Sequence, residues 1–167
     1  MKRIWRGCSL ILGFACSITM HQGAIAQKAG GILKVTHRDS PASMSIHEEG
    51  TYSVIAPMMG VFNNLVLYDQ HVPQNSAATI RPELATEWAW DEDGRSLMFK
   101  LRQGVKWHDG KPFTSADVKC TWDLLTGRAQ DRLRTNFRAA WYENLAEVTV
   151  NGDYEVTFRL KQRQPAF

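Results

Sequence analysis

The chain has 167 residues, with 20 Lys and Arg against 17 Asp and Glu, for a formal charge of +3. Three of the basic residues, Lys2, Arg3 and Arg6, stand at the start, and without them the balance is 17 to 17. That excludes a nucleic-acid binder driven by a cationic surface, which needs clustered Lys and Arg.

The first 26 residues have the order of an export signal. The basic start is followed by CSLILGFACSITM, an uncharged run from Cys8 to Met20. Small residues at Ala24 and Ala26 then give an A-x-A cleavage site. The apolar run falls short of the roughly 20 residues that cross a bilayer. Residues 1–26 are therefore expected to be a signal peptide and the mature protein to be periplasmic. Lipid anchoring at Cys16 is the lesser alternative, because Gly13 stands where a lipobox has Leu. Cys8 and Cys16 leave with the signal, so Cys120 is the remaining thiol. No intrachain disulfide and no CxxC site is then possible.

In chain order, Ile32, Leu33 and Val35 predict a strand over 31–36. A loop with Pro41 follows. Val54, Met58, Val61 and Phe62 recur at helical spacing and predict a helix over 52–62, with Pro57 restricting its first turn. A short strand is expected over 65–69, then a polar hairpin loop over 70–80 carrying Pro73. From Arg81 the pattern becomes β-rich: Pro82-Glu83-Leu84-Ala85 leads into Trp88-Ala89-Trp90, and Asp91-Glu92-Asp93-Gly94 is a turn. Leu97, Phe99 and Leu101 alternate with Met98, Lys100 and Arg102, the period of a half-buried strand. The basic stretch 128–138, interrupted by Asp131, reads as a solvated face. Near the end, Val148, Val150, Val156, Phe158 and Leu160 flank Asn151-Gly152-Asp153, a strong hairpin signal. The chain stops directly after this strand and reads as cut.

Residues 105–122, VKWHDGKPFTSADVKCTW, concentrate the groups that invite a catalytic reading. Most have a conformational role instead. Asp109-Gly110 suits a tight turn. Thr114 and Asp117 have the spacing of a capping box. Val118, Trp122 and Leu125 fall on one helical face, toward a core. Cys120 in mid-helix reads as a small buried hydrophobe, and Trp107 and Trp122 as largely buried. His108 and Asp109 are adjacent in sequence, which places them in no triad, and no G-x-S-x-G elbow occurs. A hydrolase or metalloprotein using His37, His47, His71 and His108 is the alternative class. No two of these have i, i+4 spacing and no HExxH occurs.

The run LRQGVKWHDGKPFTSADVKCTWD closely resembles the signature of family 5 extracytoplasmic solute-binding proteins, the binding components of ABC importers for peptides, dipeptides and nickel. Leu101, Arg102, Gly104, Val105, Trp107, Asp109, Gly110, Pro112, Phe113, Thr114, Asp117 and Val118 fit its pattern. Ser115 stands where Ala is more usual. Pro82-Glu83-Leu84-Ala85 with Trp88, the segment Asn64 to Tyr68, and the 151–158 hairpin resemble its flanking motifs.

The resemblance implies an α/β fold, the N-terminal part of a two-lobe periplasmic binding protein with a small extra α+β domain. Residues 27–60 would then begin the first lobe and 61–167 belong to the extra domain, with the chain incomplete. It implies a periplasmic component that captures peptides or a similar small solute for the membrane permease subunits of an ABC transporter. No catalysis, no cofactor and no nucleic acid are expected, and the full-length form would be a monomer. A nickel or metal-chelate binder of the same family is the variant reading; opines and sugars also stay open. By the same resemblance the loop before the first helix, His47 to Tyr52, contributes to the pocket. Glu49, Gly50, Thr51 and Tyr52 are the candidate ligand residues: Glu49 for a ligand ammonium, Tyr52 for an apolar part. An ordinary helix start, where an acid suits the dipole, explains Glu49 equally well.

Overall fold

A computed structural model describes residues 30–32 and 34–164. The expected signal peptide lies outside the described residues. The chain divides into two compact units between Val35 and Thr36. Of the first, the described residues form no strand, and Ile32 and Val35 are exposed. The expectation of a strand over 31–36 is thus corrected: apolar residues alone do not make one without a pairing neighbour.

In the second unit the first helix, α1 (Tyr52–Met58), is shorter than its apolar spacing predicts. Pro57 offers no N–H, and the chain leaves the helix at Met59 in a turn through Gly60. Val54 and Met58 are buried, whereas Val61 and Phe62 are exposed beyond the helix end. Strands β1 (Val66–Tyr68) and β2 (Ile80–Pro82) form the expected antiparallel hairpin around the polar 70–79 loop.

The main sheet has four strands in the order β3-β4-β6-β5. They are β3 (Ala85–Trp90), β4 (Ser96–Leu101), β5 (Leu145–Val150) and β6 (Glu155–Leu160), all paired antiparallel. Alternation decides the faces. Leu97, Phe99 and Leu101 of β4 and Val156, Phe158 and Leu160 of β6 point inward and are buried. Lys100 pairs with Glu87 at 2.8 Å and Arg159 with Glu147 at 3.6 Å, both exposed cross-strand pairs. Pairs of this kind add little stability.

One helix, α2 (Ser115–Leu125), covers the inner face. Its start is the capping box expected from the sequence: the Thr114 N–H donates to Asp117 Oδ2 at 2.7 Å. Val118 and Leu125 are buried, and Trp122 packs half-buried with its ring edge-on to Phe158 at 5.1 Å. Cys120 is exposed, against expectation. It follows Val118 by two residues, about 200° around the helix, so the helix phase that buries Val118 turns it outward.

Ser115 earns its place beside the signature. It is the one buried polar residue among those described. Its hydroxyl donates to Gly152 O at 2.6 Å and its N–H to Asp153 O at 2.8 Å, which ties the helix start to the β5–β6 turn. Replacing Ser115 by Ala removes the hydroxyl bond and keeps the backbone one. The expected cost is about 1 kcal/mol, read as a lowered urea midpoint at unchanged slope.

Candidate functional site

The 105–113 segment is scaffold. Trp107 N–H donates to Lys111 O at 2.8 Å and Phe113 N–H to Val105 O at 3.0 Å, closing a tight hairpin over Gly110, whose φ is 85°. Asp109 Oδ1 accepts the Lys111 N–H at 3.0 Å, and its carboxylate pairs with the Lys111 ammonium at 2.9 Å. Hydrogen bonding to Lys111 holds this carboxyl below its ordinary range. The hairpin sends Phe113 into the core and leaves Trp107 on the outside, edge-on to Phe113 and 48% exposed. Trp107 is thus not the buried residue expected. His108 is exposed on the same turn.

The candidate ligand loop is built differently. Ser45 O accepts the N–H groups of Glu48 and Glu49 at 3.2 and 3.1 Å, coiling the chain just ahead of α1. The distant stretch 134–138 then clasps it. Glu48 Oε1 accepts the Arg134 N–H at 2.5 Å, and Glu48 O accepts the Thr135 hydroxyl at 2.7 Å. Glu49 Oε1 pairs with the Arg134 guanidinium at 3.1 Å. Ile46 O accepts from Arg138 at 2.5 Å. Gly50 meets the Phe137 ring so closely that a Cβ would stand 2.6 Å from it. Asn136 donates to Leu125 O at 2.7 Å and fixes the clasp to the end of α2.

The four sequence candidates therefore play unlike parts. Glu49 already has a cation, so a ligand ammonium there would share the carboxylate with Arg134. Gly50 is a packing position. Thr51 precedes α1 without a side-chain capping bond. Tyr52 is 77% exposed and stacks on His37 with ring centroids 5.8 Å apart. Its exposed ring is the part of the set free to meet another molecule.

The 128–138 stretch is not merely the solvated face its charge suggests. Arg128 donates to Leu145 O and Ala146 O, Arg132 to Gly127 O and Ala129 O, and Arg138 lies over the Phe137 ring, 4.3 Å from its centroid. These arginines fasten backbone carbonyls, which a charge count does not reveal.

Sequence reading also passed over a cavity of 870 Å³. Leu97, Phe99 and Phe158 of the sheet form its floor, and Val118, Trp122 and Leu125 of α2 one wall. Phe62, Leu65, Trp141 and Tyr142 also line it, with His47, Asn64 and Asp117 among its polar groups. Glu49, Gly50, Thr51 and Tyr52 do not line it. The signal for it was an excess of aromatics (Phe62, Trp107 and Trp141) that the core leaves exposed. Of the histidines, His47 is half-buried at the cavity edge. Burial pushes its pKa below the ordinary value, and the Arg138 charge adds to this. Among the described residues no group of three His, Cys, Asp or Glu is placed to hold a metal ion, and no helix is long and apolar enough to cross a membrane.

The L-R-x-G-V hairpin, the capped helix α2 and the four-stranded sheet form one mixed sheet-and-helix unit. Residues 79–167 match the family described as bacterial extracellular solute-binding proteins, family 5 Middle, and the chain belongs to that family. NikA from Brucella suis, solved in complex with Fe(III)-EDTA, is similar at 31% identity and a TM-score of 0.56, over 73% of this chain and 22% of NikA. AppA from Bacillus subtilis, solved with a nonapeptide, is similar at 26% identity and a TM-score of 0.60, over 73% of this chain and 22% of AppA. A periplasmic alpha-galactoside-binding protein of Rhizobium meliloti (strain 1021) is 50% identical over 42 residues, 25% of this chain and 6% of that protein. The chain thus spans less than a quarter of the length of each of these relatives.

Proposed function

We propose that the chain is part of the periplasmic receptor of an ABC importer and that its solutes are peptides. The observation that carries this is the family match over 79–167, which covers the scaffold hairpin, α2 and the main sheet. The peptide class is supported by relatives whose names state it, among them the oligopeptide-binding protein AppA, 30% identical over 102 residues. On this reading residues 1–26 are removed on export, residues 27–60 begin the first lobe and 61–167 form the extra domain. The loop Glu49–Gly50–Thr51–Tyr52 faces the solute. Tyr52 offers its exposed ring to an apolar part, and Glu49 shares its carboxylate between Arg134 and a ligand ammonium. Receptors of this kind close around a solute and remove it from water, and they bind without turnover. The membrane permease subunits are the proposed partners, and the receptor is proposed to act as a monomer.

A second reading has one specific observation behind it. The 31% identity to NikA, solved with a metal chelate, favours a chelate as the solute. Uptake in the cell that makes the chain separates the two. Deleting its coding segment should abolish import of labelled tri-alanine and spare import of a nickel–histidine complex. The opposite pattern transfers the function to the chelate. Undisturbed import of both would sink the receptor reading.

A further inference from the structure

We infer that segments 46–50 and 134–138 form a latch over the candidate ligand loop, and that protonation of His47 opens it. The latch joins segments more than 80 positions apart in sequence by contacts that are mostly polar and partly exposed: Glu48 to Arg134 and Thr135, Glu49 to Arg134, Ile46 O to Arg138. Structure held this way opens locally at far lower cost than the sheet core. A single added charge is then enough to shift it.

His47 lies inside the latch, between Ile46 and Glu48. Its imidazole is half-buried and makes no hydrogen bond among the described residues. Arg138 acts on it from the other segment, and a guanidinium cannot shed its proton. The neighbouring acids are committed elsewhere. Glu48 and Glu49 face Arg134, and Asp117 of α2, which lines the same cavity, accepts the Thr114 N–H at 2.7 Å. An imidazolium would therefore add a second positive charge within reach of Arg138, in a place that already penalises charge. Parting the two segments relieves both costs.

The sign follows from linkage. Closed, the histidine titrates below its ordinary value of 6.5; open, it returns to that value. The open form thus binds the proton better, so the latch is fully favoured above that value and loses ground as pH falls through it. The latch opens or stays closed in the chain without ligand, so it stands or falls apart from the receptor reading.

Amide hydrogen exchange on the chain, corrected for intrinsic rates, tests it at about pH 7.5 and about pH 5.5. Amides of 47–51 should lose protection by roughly threefold or more at the lower pH, relative to those of β4. In His47→Gln the ratio should not change with pH. His47→Phe, which keeps a neutral ring in the half-buried position, should behave likewise if the glutamine variant opens the loop throughout. An unchanged ratio in the wild-type chain, or an equal pH response in both variants, overturns the latch.

Discussion

Phe158→Ala is expected to lower stability by roughly 3–5 kcal/mol, the range for deleting a buried aromatic side chain. Phe158 is 1% exposed at the centre of β6, opposite Leu97 on one side and Val148 on the other. Its ring meets Phe99 edge-on at 5.3 Å and Trp122 at 5.1 Å, so it joins the sheet to α2. Such ring pairs add to the burial itself. The site borders the 870 Å³ cavity, so the space left by the ring merges with an existing void. Closing it would require Trp122 to shift, and Trp122 is also held edge-on to Tyr142 at 4.9 Å. Collapse is thereby limited and the cost should stay high. Urea unfolding followed by tryptophan fluorescence measures it. Phe158→Leu should recover a large part of the loss. A Phe158→Ala midpoint equal to wild type would mean that the sheet–helix contact does not hold this unit together.

What the sequence made legible was local. The capping box at Thr114 and Asp117, the Asp109-Gly110 turn, the alternation of Leu97, Phe99 and Leu101 and the 148–160 hairpin each depend on residues a few positions apart, and each is present. The errors have a common cause. Residue type puts Cys120 inside, whereas the helix phase set by Val118 and Leu125 turns it to solvent. Trp107 is expected to be buried, whereas the hairpin gives the inward position to Phe113. Apolar spacing carries the helix to Phe62, whereas the chain turns out of it after Met58, at Met59 and Gly60.

The candidate site was the least legible part. The family resemblance singles out Glu49 for a ligand ammonium, and nothing near it in sequence announces Arg134. The clasp joins residues 85 to 92 positions apart, and such pairing leaves no periodic trace. The resemblance pointed to the loop but not to what holds it. A charge count treats the arginines of 128–138 as a solvated face, whereas Arg128, Arg132 and Arg138 fasten backbone carbonyls.

Gly50→Ala should unfasten this loop while leaving the sheet intact. The added Cβ would lie 2.6 Å from Phe137 Cε2 and 2.8 Å from its Cζ, distances no relaxed pair adopts. Something has to move, and Phe137, 45% exposed, is free to swing outward. When it does, the Arg138 guanidinium loses the ring beneath it, together with some of the restraint that aims it at Ile46 O. Overpacking of this kind costs about 1–3 kcal/mol. Here the cost falls on a local opening, so amides of 46–51 should exchange about 5- to 150-fold faster, at about tenfold per 1.4 kcal/mol. The amides of β4 and β6 should be nearly unchanged, since their core lies beyond the clasp. The cause can be isolated by a double-mutant cycle. In a Phe137→Ala background the ring is already gone, so adding Gly50→Ala should have almost no further effect on exchange. Full additivity of the two changes would show that the glycine matters for a reason other than the ring, and the packing account of the clasp would fail.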